Sequence, residues 1–351
     1  MRSSTFVVRR IVAPILVVAL IVVPSYSWLR AGRVPGKYVN RCQASVFESN
    51  SPPADLLLIG ASRTGFGIDE QIVDLRMSDA EKHTTEKIVL LGNAESDANM
   101  ALRTYLRERG APKSIGIEIL ITRTAGDTVS ARLGAALTNR SYALFGANAY
   151  SGYLDALIER GVIDNADVYV RSHFPSPLKF FFDHLQVGFD NALRSLDQTV
   201  DPLGDCGRMV LRVWGSVAAA PYTDATPQPT ERRLERLKRE SARYVPINVD
   251  SRRAYGEIAA MRDMVKIARE AGVDNVFLYY FPSFGETTDV INLDRVSQLV
   301  PGTAMFDARQ VLNDPSKPGL NLQYQDRAHL TKYGAYEVTT AFTDFLKDFS
   351  R

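Results

Sequence analysis

The stretch "ADLLLIGASRTGFGID", Ala54 to Asp69, decides the fold. Leu56 to Ile59 form an unbroken apolar run closed by Gly60. A half-exposed strand alternates apolar and polar residues. An unbroken run suits a strand buried on both faces, the habit of parallel sheets flanked by helices. Gly60 frees the backbone for a sharp turn, and Ser62 falls just past the strand's carboxyl end, where open α/β sheets bind ligands. Taken alone, Gly-Ala-Ser also fits a serine that only caps the next helix.

Downstream, "IDEQIVDLRM" has helical spacing and "EKIVLLG" (Glu86 to Gly92) reads as a second buried strand. "DANMALRTYLRERG" is a helix stopped by Gly110, and "SIGIEILI" a third strand. This alternation predicts a three-layer α/β/α sandwich with a central parallel sheet. The pattern resumes near the other end. There "SRRAYGEIAAMRDMVKIAREAG" is a helix, "VDNVFLYYFP" and "GTAMFDA" are strands, and a last helix starts near Thr331.

Between these halves, about 125–245, lie "YSGYLDALIERG", "SPLKFFFDHLQVGFDNALRSL" and "TERRLERLKRESARY", helices joined by Pro/Gly/Asp-rich loops. They read as a helical insertion, the last with a solvent-exposed face of mixed charge. His173 and His184 flank aromatic sequence that packs the insertion onto the core or offers a platform to carbohydrate. His83 reads as solvated.

The N-terminus adds a second feature. Arg2, Arg9 and Arg10 precede a segment without charge from Ile11 to Leu29, close to the roughly 20 residues that span a bilayer. Tyr26 and Trp28 stand where an interfacial aromatic belt would lie. The reading is an N-terminal transmembrane anchor over 1–29, with a cleaved signal peptide as the alternative. Residues 30–53 form a basic, Pro-containing linker, and 54–351 the exported domain. Cys42 and Cys206, the only two cysteines, permit one disulfide or two free thiols. With four His and two Cys, no metal-ligand cluster and no cofactor is expected. A net charge of +2 gives no reason to expect nucleic acid.

Near the C-terminus, "YQDRAHLTKYG" sets Asp326 three residues before His329. At that spacing the carboxylate reaches Nδ1, holds the tautomer and stabilises an imidazolium formed when Nε2 takes a proton. Thr331 is a natural N-cap, so His329 would stand at the rim of a rigid helix. Joined to Ser62 on the first strand, these residues propose a nucleophile, a base and an orienting acid.

"IGASRTGFGID", "LLGNAESDAN" and "YQDRAHLTKYG" resemble three sequence blocks of the SGNH/GDSL hydrolase superfamily. The resemblance implies Ser62 as nucleophile, His329 as base and Asp326 as its partner. It also implies an oxyanion hole from the backbone of Ser62 and Gly92, with Asn93 as alternative. The family's Asn after the third strand has no counterpart; Thr122 or Arg123 occupies that neighbourhood. Arg63 either grips substrate or braces the loop, and Glu118, inside an apolar strand, reads as part of a buried network. The anchor, the Gly-x-Ser-Arg block and the insertion are similar to exported polysaccharide O-acetyltransferases. The expected activity is a serine esterase or O-acyltransferase at the inner membrane, its domain periplasmic or extracytoplasmic. It would act on an acylated glycan or acyl donor, beside a membrane-bound acyl-transfer partner. The alternative is an inactive carbohydrate-binding or assembly subunit of the same fold.

Overall fold

The computed structural model describes residues 52–78, 82–89, 95–121, 229–241, 247–250, 252–286 and 290–349. The N-terminal apolar segment, both cysteines, His173, His184 and most of the insertion lie outside them. Among the described residues no helix is long and apolar enough to cross a membrane.

Five parallel strands form the sheet: β1 (Leu56–Gly60), β2 (Thr85–Val89), β3 (Ser114–Glu118), β4 (Asn275–Tyr280) and β5 (Ala304–Asp307). Their spatial order is β2-β1-β3-β4-β5. The chain therefore leaves β1 toward one edge and returns across it toward the other. The two directions diverge between β1 and β3, the crevice where doubly wound sheets present a ligand site. The apolar run at 56–59 is wholly buried, as its composition requires. The second strand is seen from Thr85 to Val89, one residue earlier than expected.

Eight helices are described: α1 (Ser62–Gly67), α2 (Glu70–Met77), α3 (Glu95–Arg109), α4 (Glu231–Ser241), α5 (Arg252–Glu270), α6 (Leu293–Leu299), α7 (Ala308–Leu312) and α8 (Lys332–Phe349). The two-residue period of the strands sorts their side chains onto two cores. Leu57, Ile59, Ile115, Ile117 and Leu278 meet Ala101, Tyr105, Met261 and Met264 of α3 and α5. Leu56, Leu58, Phe277 and Tyr279 meet Val73 of α2 and Val338, Phe342 and Leu346 of α8. Both faces of the sheet are thus covered by helices.

Elements at the sheet's carboxyl edge position the site. Asp69 caps α2 by accepting from Gln71 and Ile72 N–H at 3.0 and 3.4 Å. Its own N–H donates to Thr339 Oγ1 at 3.0 Å, which ties the start of α2 to α8. Thr331 Oγ1 accepts from Gly334 N–H at 3.1 Å, the cap expected from sequence. At the opposite, amino edge, Gly110 ends α3 at φ 89°, a left-handed stop that glycine adopts without a Cβ penalty.

Candidate active site

The turn after β1 places Ser62 at the first position of α1. Ala61 precedes the helix in extended backbone, and its methyl has no acceptor to cap it. From the far end of the chain, a short loop between a 3₁₀ turn (Leu320–Leu322) and α8 delivers His329. Its hydrogen bonds fold it back on itself: Gln325 N–H donates to His329 O at 2.9 Å and Thr331 N–H to Gln323 O at 2.9 Å.

The three side chains meet. Ser62 Oγ lies 2.8 Å from His329 Nε2, and His329 Nδ1 lies 2.8 Å from Asp326 Oδ2. An ionised carboxylate only accepts, so Nδ1 carries the proton and Nε2 accepts from the Ser62 hydroxyl. Asp326 Oδ1 is held in turn by the N–H groups of Ala328 (2.9 Å) and His329 (3.0 Å). Partial burial works to raise the Asp326 pKa, but the His329 bond and these backbone donors outweigh it and hold the carboxyl below its ordinary value. The acid therefore stays charged and keeps the imidazole in one tautomer. Phe66, one turn along α1 from the serine, lies against the imidazole with ring centroids 4.3 Å apart.

Behind the serine, Arg63 points inward. Its Nη1 donates to Phe281 O at 2.8 Å, and its Nε lies 2.9 Å from Glu118 Oε1. Burial works to lower the Arg63 pKa, yet the Glu118 carboxylate outweighs it and keeps the guanidinium charged. Of the two readings of Arg63, these contacts are those of a brace. Glu118 is the buried network residue expected from its place in an apolar strand. Gly92, Asn93, Thr122 and Arg123 lie outside the described residues. Ile119 to Ile121, directly after β3, offer only buried apolar side chains.

Two expectations need correction. His83 is half-buried rather than solvated, with Nδ1 3.2 Å from Asp74 Oδ1. The charged helix α4 is not simply an exposed face. Leu234 and Leu237 pack into the core, Arg233 donates to Tyr324 O, and Arg236 donates to Gln325 O at 2.9 Å. These carbonyls belong to the two residues before Asp326, so α4 grips the loop that carries Asp326 and His329. Sequence reading missed this because the burial of two leucines four-sided by charge is settled only by the neighbour they meet.

Among the described residues no cluster of three His, Cys, Asp or Glu could hold a metal ion. Compared with models of known protein families and with curated proteins, the chain matches none of them.

Proposed function

We propose that this chain is a serine esterase or O-acyltransferase that works through an acyl-Ser62 intermediate, on an SGNH-hydrolase-like fold. One observation carries the reading: the unbroken hydrogen-bonded series Ser62–His329–Asp326 at the sheet's switch point. A serine that merely capped a helix would need no such partners.

In the first half-reaction Ser62 Oγ attacks the ester carbonyl while its proton passes to His329 Nε2. Charge on the carbonyl oxygen is met by the Ser62 N–H, with Gly92 or Asn93 as the expected second donor. Collapse breaks the bond to the alcohol, which leaves with the proton from Nε2. In the second half, water or a sugar hydroxyl yields a proton to Nε2 and attacks the acyl carbon, and Ser62 regains its proton. Water makes the enzyme an esterase and a sugar hydroxyl makes it a transferase.

The substrate proposed is an acyl ester, most simply acetyl, of a cell-envelope or secreted polysaccharide. The domain would stand outside the inner membrane on the 1–29 anchor, beside a membrane-bound acyl donor. This rests on the charge-free N-terminal segment and on family resemblance.

The test is labelling of Ser62 by a fluorophosphonate together with turnover of a small activated acetyl ester. Turnover that disappears in Ser62→Ala and His329→Ala supports the proposal. An unlabelled Ser62 in folded protein favours the inactive, carbohydrate-binding alternative.

A further inference from the structure

We propose that Glu118 is a positioning residue whose buried carboxylate, paired with Arg63, fixes the turn that presents Ser62 to His329. The proposal rests on Ser62 as nucleophile and adds a residue that the Ser–His–Asp arrangement does not use.

Glu118 ends β3, the strand beside β1, with its side chain fully buried. Oε2 accepts from the Ala61 N–H at 2.7 Å and from the Thr64 hydroxyl at 2.6 Å. Oε1 lies 2.9 Å from Arg63 Nε. The residue before Ser62 and the two after it are therefore all tied to one carboxylate. Arg63 extends the tie to Phe281 O at 2.8 Å, just past β4, and to Ile119 O at 3.4 Å. Thr64 Oγ1 also lies 2.8 Å from the Tyr279 hydroxyl, itself within 3.1 Å of Ile59 O. Burial, and then the nearby Glu118 charge, push the Tyr279 pKa well up, so the phenol keeps its proton as a donor.

Gly60 completes the arrangement. A Cβ there would run into Thr64 Oγ1 and the Glu118 carboxylate. The carboxylate occupies the space that any other residue at the end of β1 would fill, so the chain can turn only over it.

The attraction between the two charges is not by itself a reason for stability to keep this pair. Taking two charges out of water costs enough that well-packed apolar replacements are often neutral or stabilising. What the carboxylate adds is direction: two hydrogen bonds on Oε2 and an ion pair on Oε1, all at one turn. A misplacement of roughly 1 Å at a reacting group costs on the order of 10²-fold in rate.

The experiment compares wild type, Glu118→Gln and the double variant Arg63→Met/Glu118→Met. It measures thermal midpoint, the rate of fluorophosphonate labelling, and kcat and KM on an activated ester. The double variant, which leaves the Ala61 N–H, the Thr64 hydroxyl and Phe281 O without these partners, is expected to fold with a lowered midpoint, to label about 10²-fold more slowly, and to lose kcat with KM unchanged. Wild-type labelling by a folded variant overturns the proposal and leaves Glu118 a fold residue. If the double variant does not fold, Glu118→Gln carries the same comparison. If wild-type Ser62 itself fails to label, the nucleophile reading falls, and a crystal structure of the folded variant decides the positioning role. A Ser62–His329 separation opened beyond hydrogen-bond reach supports it; one kept at 2.8 Å overturns it.

Discussion

The Phe66 ring lies against the His329 imidazole, with ring planes inclined by 36°. The serine and the group that steadies its base thus come from a single turn of one helix. Phe66→Ala removes an aromatic contact worth about 0.5–1.5 kcal/mol. It should lower kcat by up to about tenfold, with Ser62 still labelled, as steady-state kinetics on an activated ester would show.

Ser62→Ala and His329→Ala should each abolish acyl transfer, with losses of at least about 10³-fold, and the double variant should be no worse than either single one. Losses that multiply in the double variant would mean that the two residues do not act together. The Ser62→Ala midpoint should stay close to wild type, and the two His329 variants should melt somewhat lower because they lose the Phe66 and Asp326 contacts.

Asp326 gives the protein an acid-sensitive element. Its carboxyl titrates below the ordinary value of 3.8 when folded. The unfolded chain therefore binds the proton more readily, and stability rises with pH across that window. Asp326's contribution is complete above the ordinary value and is lost as pH falls through the lowered one. Melting curves of wild type and Asp326→Asn should diverge near neutral pH and converge in strong acid. A gap that persists at the lowest pH would sink the idea.

Gly60→Ala should destabilise by about 1–3 kcal/mol, the range for forcing a methyl into filled space. It should also slow labelling of Ser62, because the displaced atoms belong to Thr64 and Glu118. Urea titration and labelling rates on the same preparation separate the two effects.

Arg233→Met should loosen the acid loop. Burial, and then the Arg236 charge, depress the Arg233 pKa, with Asp326 acting in the opposite direction. Loss of the bond to Tyr324 O should cost about 1–3 kcal/mol and lower kcat several-fold. Arg236→Gln, on an exposed side chain, should change stability by less than about 0.5 kcal/mol. Equal effects from both would contradict this ordering.

Much of the architecture was legible because it rests on local rules. The run at Leu56–Ile59, the Gly110 stop and the Thr331 cap each state their structure within a few residues. The Asp326–His329 pair was equally local. Helices α6 and α7 escaped because seven and five residues are too few for an apolar period to stand out. The Arg63–Glu118 tie and the grip of α4 were illegible for another reason. Each joins residues brought together only by strand order, and a charged side chain does not announce whether its partner is water or a carbonyl. Glu118 could be read as buried, but what it held could not.

Ser62 and His329 are 267 positions apart, which has a consequence for when their hydrogen bond forms during folding. Such a pair closes only after β1, β3, β4 and the C-terminal helix have found one another, among the slowest contacts a chain makes. A nascent chain would carry Ser62 early and His329 late. On the proposed chemistry, the Ser62 hydroxyl has no proton acceptor until α8 docks. Labelling of Ser62 during refolding would then time the closing step of folding itself.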